Sequence, residues 1–480
     1  MMSGDSGTTG ARRRWWCLAV VCLAMFMGVL DSTSVYAALP EIAAELDFAP
    51  AEVQWVITAY GMAIGGLLLL GGRLADRLGR RRVFLASVGL FAVASLACGL
   101  AASSELLIAA RALQGVGAAV MTPAGLSLLM GVFPDGPDRN KALGIWGGLG
   151  GTGASVGLLL GGVLTDRAGW EWIFLTNVPV CLLVLAVGPA LLPEATAHRQ
   201  RLDLPGAVTA TGGLVLLLLA LFRVAEHGVD TLTVLLLAGT VVAAALFVVV
   251  EQRSPAPLVP LRIFASRALV GGNVVILTAG IAVDGLLIVM TLYAQQVLGF
   301  SALQFGLTMA IMTVTSVLGV LAGQHLVTRS GFRLVAPGGM TVLAGALVLL
   351  SRLSSDGTLV RDLLAGLVLF GAGMGAAFVA GQIAALSGVA DGDAGLAAGL
   401  EETSFAVGTT LGAALASAVV VGYAVRDAEP TTTALTDGFA VALLVLAGVA
   451  TIGAVLAVTL LGAGRRHEPV PESVATAVGR

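Results

Sequence analysis

The sequence predicts an all-α integral membrane protein that crosses the bilayer fourteen times. Three observations carry this. The 480 residues are 57% hydrophobic and 11% charged, with mean hydropathy +0.96; a soluble domain carries about 25% charged residues. Fourteen apolar runs each reach the roughly 17–25 residues needed to cross about 30 Å of hydrocarbon. Basic residues are segregated. Twenty of the 26 fall on one side of these runs, and Arg167, Arg223, Arg352, Arg361 and Arg426 fall on the other. Positive charge stays on the cytoplasmic side, so both termini are expected in the cytoplasm of a bacterial cell membrane.

In order, residues 1–14 are polar, end in Arg12-Arg13-Arg14, and read as a disordered cytoplasmic tail. The run 15–39 could pass for a secretory signal, but Asp31 interrupts it and thirteen more runs follow, so it reads as an uncleaved first span. The next five are 53–72, 83–102, 106–130, 142–164 and 171–192, closing an N-terminal half at 15–192. Between 53–72 and 83–102 lies Gly72-Arg73-Leu74-Ala75-Asp76-Arg77-Leu78-Gly79-Arg80-Arg81-Arg82, with five arginines and one aspartate in eleven residues. Charge alone would make this a topology signal; its glycines also allow a tight turn and close helix approach.

The stretch recurs. Gly323–Arg333 matches it at Leu74/Leu326, Arg77/Arg329, Gly79/Gly331 and Arg81/Arg333, with Thr328 where the first copy has Asp76. Spans 268–292, 303–327, 334–352, 360–386, 396–424 and 438–462 then form a second half at 268–462, a parallel repeat of the first. Runs 205–223 and 231–250 remain as an extra central pair (205–250), bounded by Pro193–Pro205 and Pro255–Pro260. Residues 463–480 form a second cytoplasmic tail.

Several function classes drop out. The only lysine, Lys141, precedes Ala142, so no phosphate-cradling Gly-Lys-Ser/Thr motif exists. Cys17, Cys22, Cys98 and Cys181 sit in apolar runs without metal or disulfide spacing. A net charge of −3 gives nucleic-acid binding no support. No nucleophile–base or metal constellation marks an enzyme, and no histidine lies deep in a span.

The chemistry therefore rests on charges inside apolar runs. A carboxylate within a spanning helix costs about 2.5–3.5 kcal/mol on insertion scales, so it faces a cavity or a partner. Desolvation disfavours the charged form of such a group, which suits it to proton exchange. Asp31 in the first span and Asp284, mid-way along the ninth, are of this kind. So are Glu401 and Glu402 near the start of the thirteenth, although acids there also simply stabilise a helix N-terminus. Arg111 is the one basic residue well inside a span. Its guanidinium stays charged, so it needs an anionic or carbonyl partner unless it reaches the outer surface past Glu105. The acids outnumber Arg111, so the expected cavity favours cations or protons. Span five carries Gly147, Gly148, Gly150, Gly151, Gly153, Gly157, Gly161 and Gly162; pairs four apart give a small-residue face for close packing.

These stretches resemble the major facilitator superfamily, and within it the fourteen-helix drug:proton antiporters. The loop 72–82 resembles the family's G-x-L-a-D-r-x-G-r-r signature. The resemblance implies that Gly72, Asp76, Arg77, Gly79 and Arg80 latch the two halves on the cytoplasmic side. Leu30-Asp31 through Leu39-Pro40 resembles L-D-x-T-x-V-x-x-A-L-P, and Arg111–Ala119 resembles R-x-x-Q-G-x-G-a-A, a run linked to proton coupling. Span five, from Gly147 and Gly151 through Gly153, Gly157, Gly161 and Gly162, resembles the antiporter motif but has Leu158 where the family has proline. Trp170–Pro179 resembles W-R-W-I-F-x-x-N-x-P with Glu171 for arginine, and Tyr293–Gly299 resembles Y-L-Q-x-v-l-G. Leu400–Ser404 resembles the Glu-Glu pair of QacA-type exporters.

The resemblance implies a major facilitator fold and proton-driven export of amphipathic, cationic compounds. It makes Asp31, Arg111, Glu401 and Glu402 the coupling residues. The cavity candidates are Asp31, Tyr60, Gln295, Glu402 and Asp284, the last from its mid-span position alone. Protons are the coupling ion; no other cofactor and no obligate protein partner is expected beyond membrane lipid and small-molecule substrates. A dedicated exporter of one endogenous metabolite or self-made antibiotic, or a non-transporting membrane sensor or scaffold, remain the alternatives.

Overall fold

The computed structural model describes residues 6–48, 55–134, 136–194, 203–255, 257–300, 302–355, 357–390, 393–424 and 432–462. Among them the regular structure is helical: α1 (Ser6–Glu45), α2 (Trp55–Leu78), α3 (Arg80–Gly99), α4 (Ser104–Val132), α5 (Pro137–Ala168), α6 (Glu171–Leu175), α7 (Asn177–Leu191), α8 (Leu204–His227), α9 (Thr231–Arg253), α10 (Arg267–Leu292), α11 (Ala302–Ser330), α12 (Phe332–Leu350), α13 (Leu364–Ala385), α14 (Ala394–Ala424) and α15 (Thr432–Gly462). A π-helical turn at Tyr293–Val297 extends α10, and one at Leu359–Leu363 leads into α13.

Among the described residues twelve helices are long and apolar enough to cross a membrane, α6 and α7 counting as one, against fourteen expected. The other two runs are helical as well. Nine of the 32 residues of α5 are glycine, and the apolar stretch of α8 is the shorter Pro205–Leu221.

Several boundaries differ from the sequence reading. The arginine stretch 72–82, expected as a loop, is helical except at Gly79, since α2 runs to Leu78 and α3 starts at Arg80. Residues 6–14 continue α1, because a span supplies the nucleus and the Ala11–Arg14 run are good helix formers. Span 171–192 is interrupted at Thr176, one turn before Pro179, whose missing N–H removes a helix hydrogen bond.

The packing reproduces the repeat. In the first half α1 packs on α5, α2 and α3 on α4, and α7 on α1 and α3; in the second, α10 packs on α14, α11 and α12 on α13, and α15 on α10 and α12. Each pair has its counterpart at the same place in the other half. The halves meet along two seams, α2 against α14 and α5 against α11, related in the same way. Helices α8 and α9 pack on each other, and α8 lies over the α2–α14 seam.

Candidate functional site

The first half closes around a buried polar network. Asp31 lies in α1, Ser95 in α3, Arg111 and Gln114 in α4, and Asn177 opens α7; all five are 0% exposed. The Arg111 guanidinium donates through Nη1 to Asp31 Oδ2 at 2.7 Å and to Gln114 Oε1 at 2.6 Å. Its Nε donates to the Val56 carbonyl of α2 at 2.9 Å. Asp31 Oδ1 accepts from Gln114 Nε2 at 2.9 Å and from Asn177 Nδ2 at 2.7 Å. Gln114 Nε2 also donates to Ser95 Oγ at 2.8 Å. The Tyr60 ring stacks on the guanidinium, 4.1 Å from its centroid, and Phe174 closes the far side at 5.6 Å.

The local causes are simple. Arg111 and Gln114 are three apart, so one face of α4 presents both. Helix α1 reaches this depth because α5 lets it approach. A Cβ on Gly157 would run into the Thr33 hydroxyl and the Leu30 carbonyl, one on Gly161 would meet Ser34, and one on Gly153 would meet Val29. Ser34 then donates to the Gly157 carbonyl at 2.9 Å. The glycine face thus sets the depth of Asp31.

A charged pair removed from water is tolerated when hydrogen bonds satisfy its remaining atoms. Here the carboxylate accepts three bonds. Two groups remain unanswered: Arg111 Nη2 and Asn177 Oδ1 have no hydrogen-bond partner. If a proton neutralised Asp31, the cation would lose its counter-charge and the network would have to rearrange.

The second half holds the other acids. Glu401 is 0% exposed and receives a 3.4 Å hydrogen bond from Gln382 Nε2 of α13, while its Oε2 has no partner. Glu402 beside it is half-buried. Helix α14 starts at Ala394, so both lie beyond its first turn, where the helix dipole acts; stabilisation of a helix N-terminus does not explain them. Asp284 is half-buried in α10, and among the described residues no cation pairs with it; Tyr36 of α1 lies within its electrostatic reach. Arg111 does not reach for the surface. Asp31 and Tyr60 are enclosed rather than lining an open cavity. Tyr60 is 4% exposed, with its hydroxyl donating to the Gly28 carbonyl at 3.2 Å and its ring on Arg111. Gln295 lies in the π-helical turn, and its side chain lies outside the described residues.

The arginine loop forms the third part. Asp76 caps α14 of the opposite half, accepting from the N–H groups of Gly395 at 2.9 Å and Leu396 at 3.0 Å. A helix N-terminus is a natural anion site. The approach needs Gly72, where a Cβ would strike the Gly395 carbonyl. Arg80 Nη2 stands 3.6 Å from Asp76 and its Nη1 donates to the Ser127 carbonyl at 3.2 Å. Arg77 reaches the Pro257 carbonyl at 3.5 Å. Gly79 takes φ of 99° at the turn into α3. Arg73 adds a second cross-half tie, Nη1 to Asp393 Oδ1 at 2.8 Å. At the repeat-related seam Thr328 accepts from Asn140 Nδ2 at 3.1 Å, and Arg139 donates to the Leu386 carbonyl at 3.1 Å. The repeat-related position 328 thus meets α5 through a side-chain amide, where Asp76 meets α14 through backbone N–H groups.

Of the span-five glycines, Gly147 faces Phe378 and Gln382 of the second half, Gly162 meets open space, and Gly151 lies outside the residues whose surroundings are described. Helix α5 runs unbroken past Leu158. The sequence reading names Gln114 and Asn177 only as motif positions and Arg73 only within the arginine stretch, gives none of them a role, and does not name Ser95 or Asp393. Gln114 carried a usable signal: it is polar, in an apolar run, and one helical turn from Arg111.

A family model described as "Major Facilitator Superfamily" matches residues 21–252 and 272–478. The puromycin resistance protein pur8 of Streptomyces alboniger is 38% identical, over 94% of this chain and 92% of its own length. The cephamycin export protein CmcT of Amycolatopsis lactamdurans is 40% identical, over 83% of both chains. Among solved structures, the human organic anion transporter MFSD10 (TETRAN) superposes with a TM-score of 0.66 at 18% identity, covering 93% of this chain and 99% of its own, a likeness of fold. With two repeat-related halves, cross-half seams and a model match over most of its length, the chain belongs to the major facilitator superfamily.

Proposed function

We propose that the protein exports amphipathic drugs or antibiotics from the cytoplasm in exchange for protons, by alternating access. The observation that carries this reading is the enclosed Asp31–Arg111 pair with its Gln114 and Asn177 supports. A titratable carboxylate shut inside one half, and held only by ionic and polar contacts, is a coupling device. Proton binding breaks the pair, the first half rearranges, and the seam with the second half opens. Glu401 and Glu402 form a second coupling site on α14, and Asp284 faces the substrate and favours cations. The arginine loop is cytoplasmic and latches that side shut in the conformation described above. Helices α5 and α8 cross the membrane with the other twelve, giving fourteen spans with α8 and α9 as the extra pair. The two relatives, one a resistance protein and one an export protein, are each named for one antibiotic, which favours a second reading, dedicated export of one antibiotic.

Everted vesicles exposed to a panel of amphipathic cations and antibiotics test the proposal. The expected result is collapse of an imposed pH gradient by a subset of compounds, abolished by a protonophore. One responding compound would select the dedicated reading. Efflux that survives the protonophore and stops on ATP depletion would overturn both.

A further inference from the structure

The extra helix pair ends in a structure that the transport reading leaves without a role. Glu251, in the last turn of α9, is 4% exposed. Its two carboxylate oxygens accept the backbone N–H groups of Leu258 and Val259, each at 3.1 Å. A buried carboxylate satisfied by backbone donors holds a segment in one shape. The segment is stiffened by Pro255, Pro257 and Pro260. So folded, it turns the Pro257 carbonyl onto the arginine loop, where it accepts from Arg73 Nη2 at 3.1 Å and Arg77 Nη2 at 3.5 Å.

Three bodies converge there. Leu258 and Val259 are 1% and 2% exposed, in an apolar cluster with Leu69 of α2, Ala207 and Ala210 of α8, and Leu396 of α14. Arg73 meanwhile reaches Asp393 of the second half, and Arg262, from the same segment, stands 3.7 Å from that carboxylate. Arg73 and Arg77 are four apart on one helix face and repel each other. The Pro257 carbonyl offsets this, as do the acids Asp203 and Glu251, both within electrostatic reach of Arg77. Without that support Arg73 has less reason to hold its bond to Asp393.

We infer that the α8–α9 pair is a third component of the latch, and that Glu251 is its positioning residue. Glu251 fixes residues 257–259, which hold Arg73 and Arg77 in the geometry that ties α2 to α14. The inference rests on the latch reading above and adds a partner to it. When the seam opens, the segment stays with α2, and its apolar contact with Leu396 is what parts.

The test is a distance measurement across the seam. Spin labels at Leu78→Cys and Ala390→Cys, both exposed positions, report closure in the full-length protein with its four buried native cysteines replaced by alanine. Glu251→Gln is expected to raise the long-distance population several-fold, as Arg73→Ala does. In the Arg73→Ala, Arg77→Ala background it should add nothing, because its effect passes through those arginines. Should Glu251→Gln not reach the membrane, Glu251→Asp, which keeps the charge but shortens the reach to the two amides, is read the same way. An unchanged population in the Glu251 variant alongside a shift in Arg73→Ala would overturn the inference and leave the latch standing. No shift in either would sink the latch reading itself. An undiminished shift in the double-arginine background would assign Glu251 a merely structural role and overturn the inference.

Discussion

At the scale of single residues, the protein is decided by which buried charges have partners. Asp31 has Arg111, Gln114 and Asn177. Removing Arg111 leaves an uncompensated carboxylate in a closed site, a change that costs about 3–5 kcal/mol in buried pairs. Arg111→Ala is therefore expected to lower the amount of protein recovered from membranes and its melting temperature. The double variant Asp31→Asn, Arg111→Ala should recover part of that loss, and a cycle of the four proteins measures it. Asp284 has no cationic partner among the described residues, and under the proposed function a cationic substrate would take that place. Asp284→Asn should weaken cationic ligands more than neutral ones of similar size, by about 1–3 kcal/mol if a charge-assisted hydrogen bond is lost. Equal losses for both kinds of ligand in a binding assay would give Asp284 a proton-carrying role. The charged residues were legible in the sequence because an acid or arginine stands out in an apolar run. Their neutral partners were legible only as motif positions, not as partners. Asn177 lies 146 positions from Asp31, and an amide within an apolar helix reads as an ordinary helix-to-helix hydrogen bond.

At the scale of elements, close approach and helix capping do the work. Gly157 brings α5 onto α1 beside Asp31. Gly157→Val should cost about 1–3 kcal/mol through overpacking and reduce transport with it, checked by thermal stability and flux on the same preparation. Asp76 caps α14 across the seam, and a carboxylate at a helix N-terminus contributes about 0.3–2 kcal/mol. Asp76→Asn is accordingly expected to slow turnover more than it weakens substrate binding, and Asn140→Ala, which removes a neutral contact, to do less. A large fall in affinity at unchanged turnover would contradict this. The loop and its repeat could be read from spacing, since arginines and glycines recur at fixed offsets. What the loop grips could not: Asp393, Gly395 and Leu396 lie some 320 positions away, and backbone N–H groups leave no mark in a sequence. Helix limits were legible within a turn or two except where a span propagated past its apolar core, as at residues 6–14, or was interrupted at Thr176.

At the scale of the whole molecule, two repeated halves meet at two seams that are built unequally among the described residues. The α2–α14 seam carries Asp76, the Arg73–Asp393 pair and the overlying α8, whereas the α5–α11 seam has a neutral Asn140–Thr328 contact with Arg139 on a carbonyl. The parallel repeat made two halves legible, because the same loop pattern returns after some 250 residues. The inequality of the seams was visible only as Thr328 in place of Asp76. The central claim is that the enclosed Asp31–Arg111 pair couples proton entry to this movement. Its most direct test compares the wild type with Asp31→Asn in everted vesicles, by two readings on one preparation. One is substrate-driven loss of an imposed pH gradient; the other is exchange of labelled for unlabelled substrate with no gradient. Asparagine keeps the shape of the carboxylate and one acceptor oxygen but does not titrate. The variant should lose the first activity and keep the second. Full proton-coupled flux from Asp31→Asn would contradict the account.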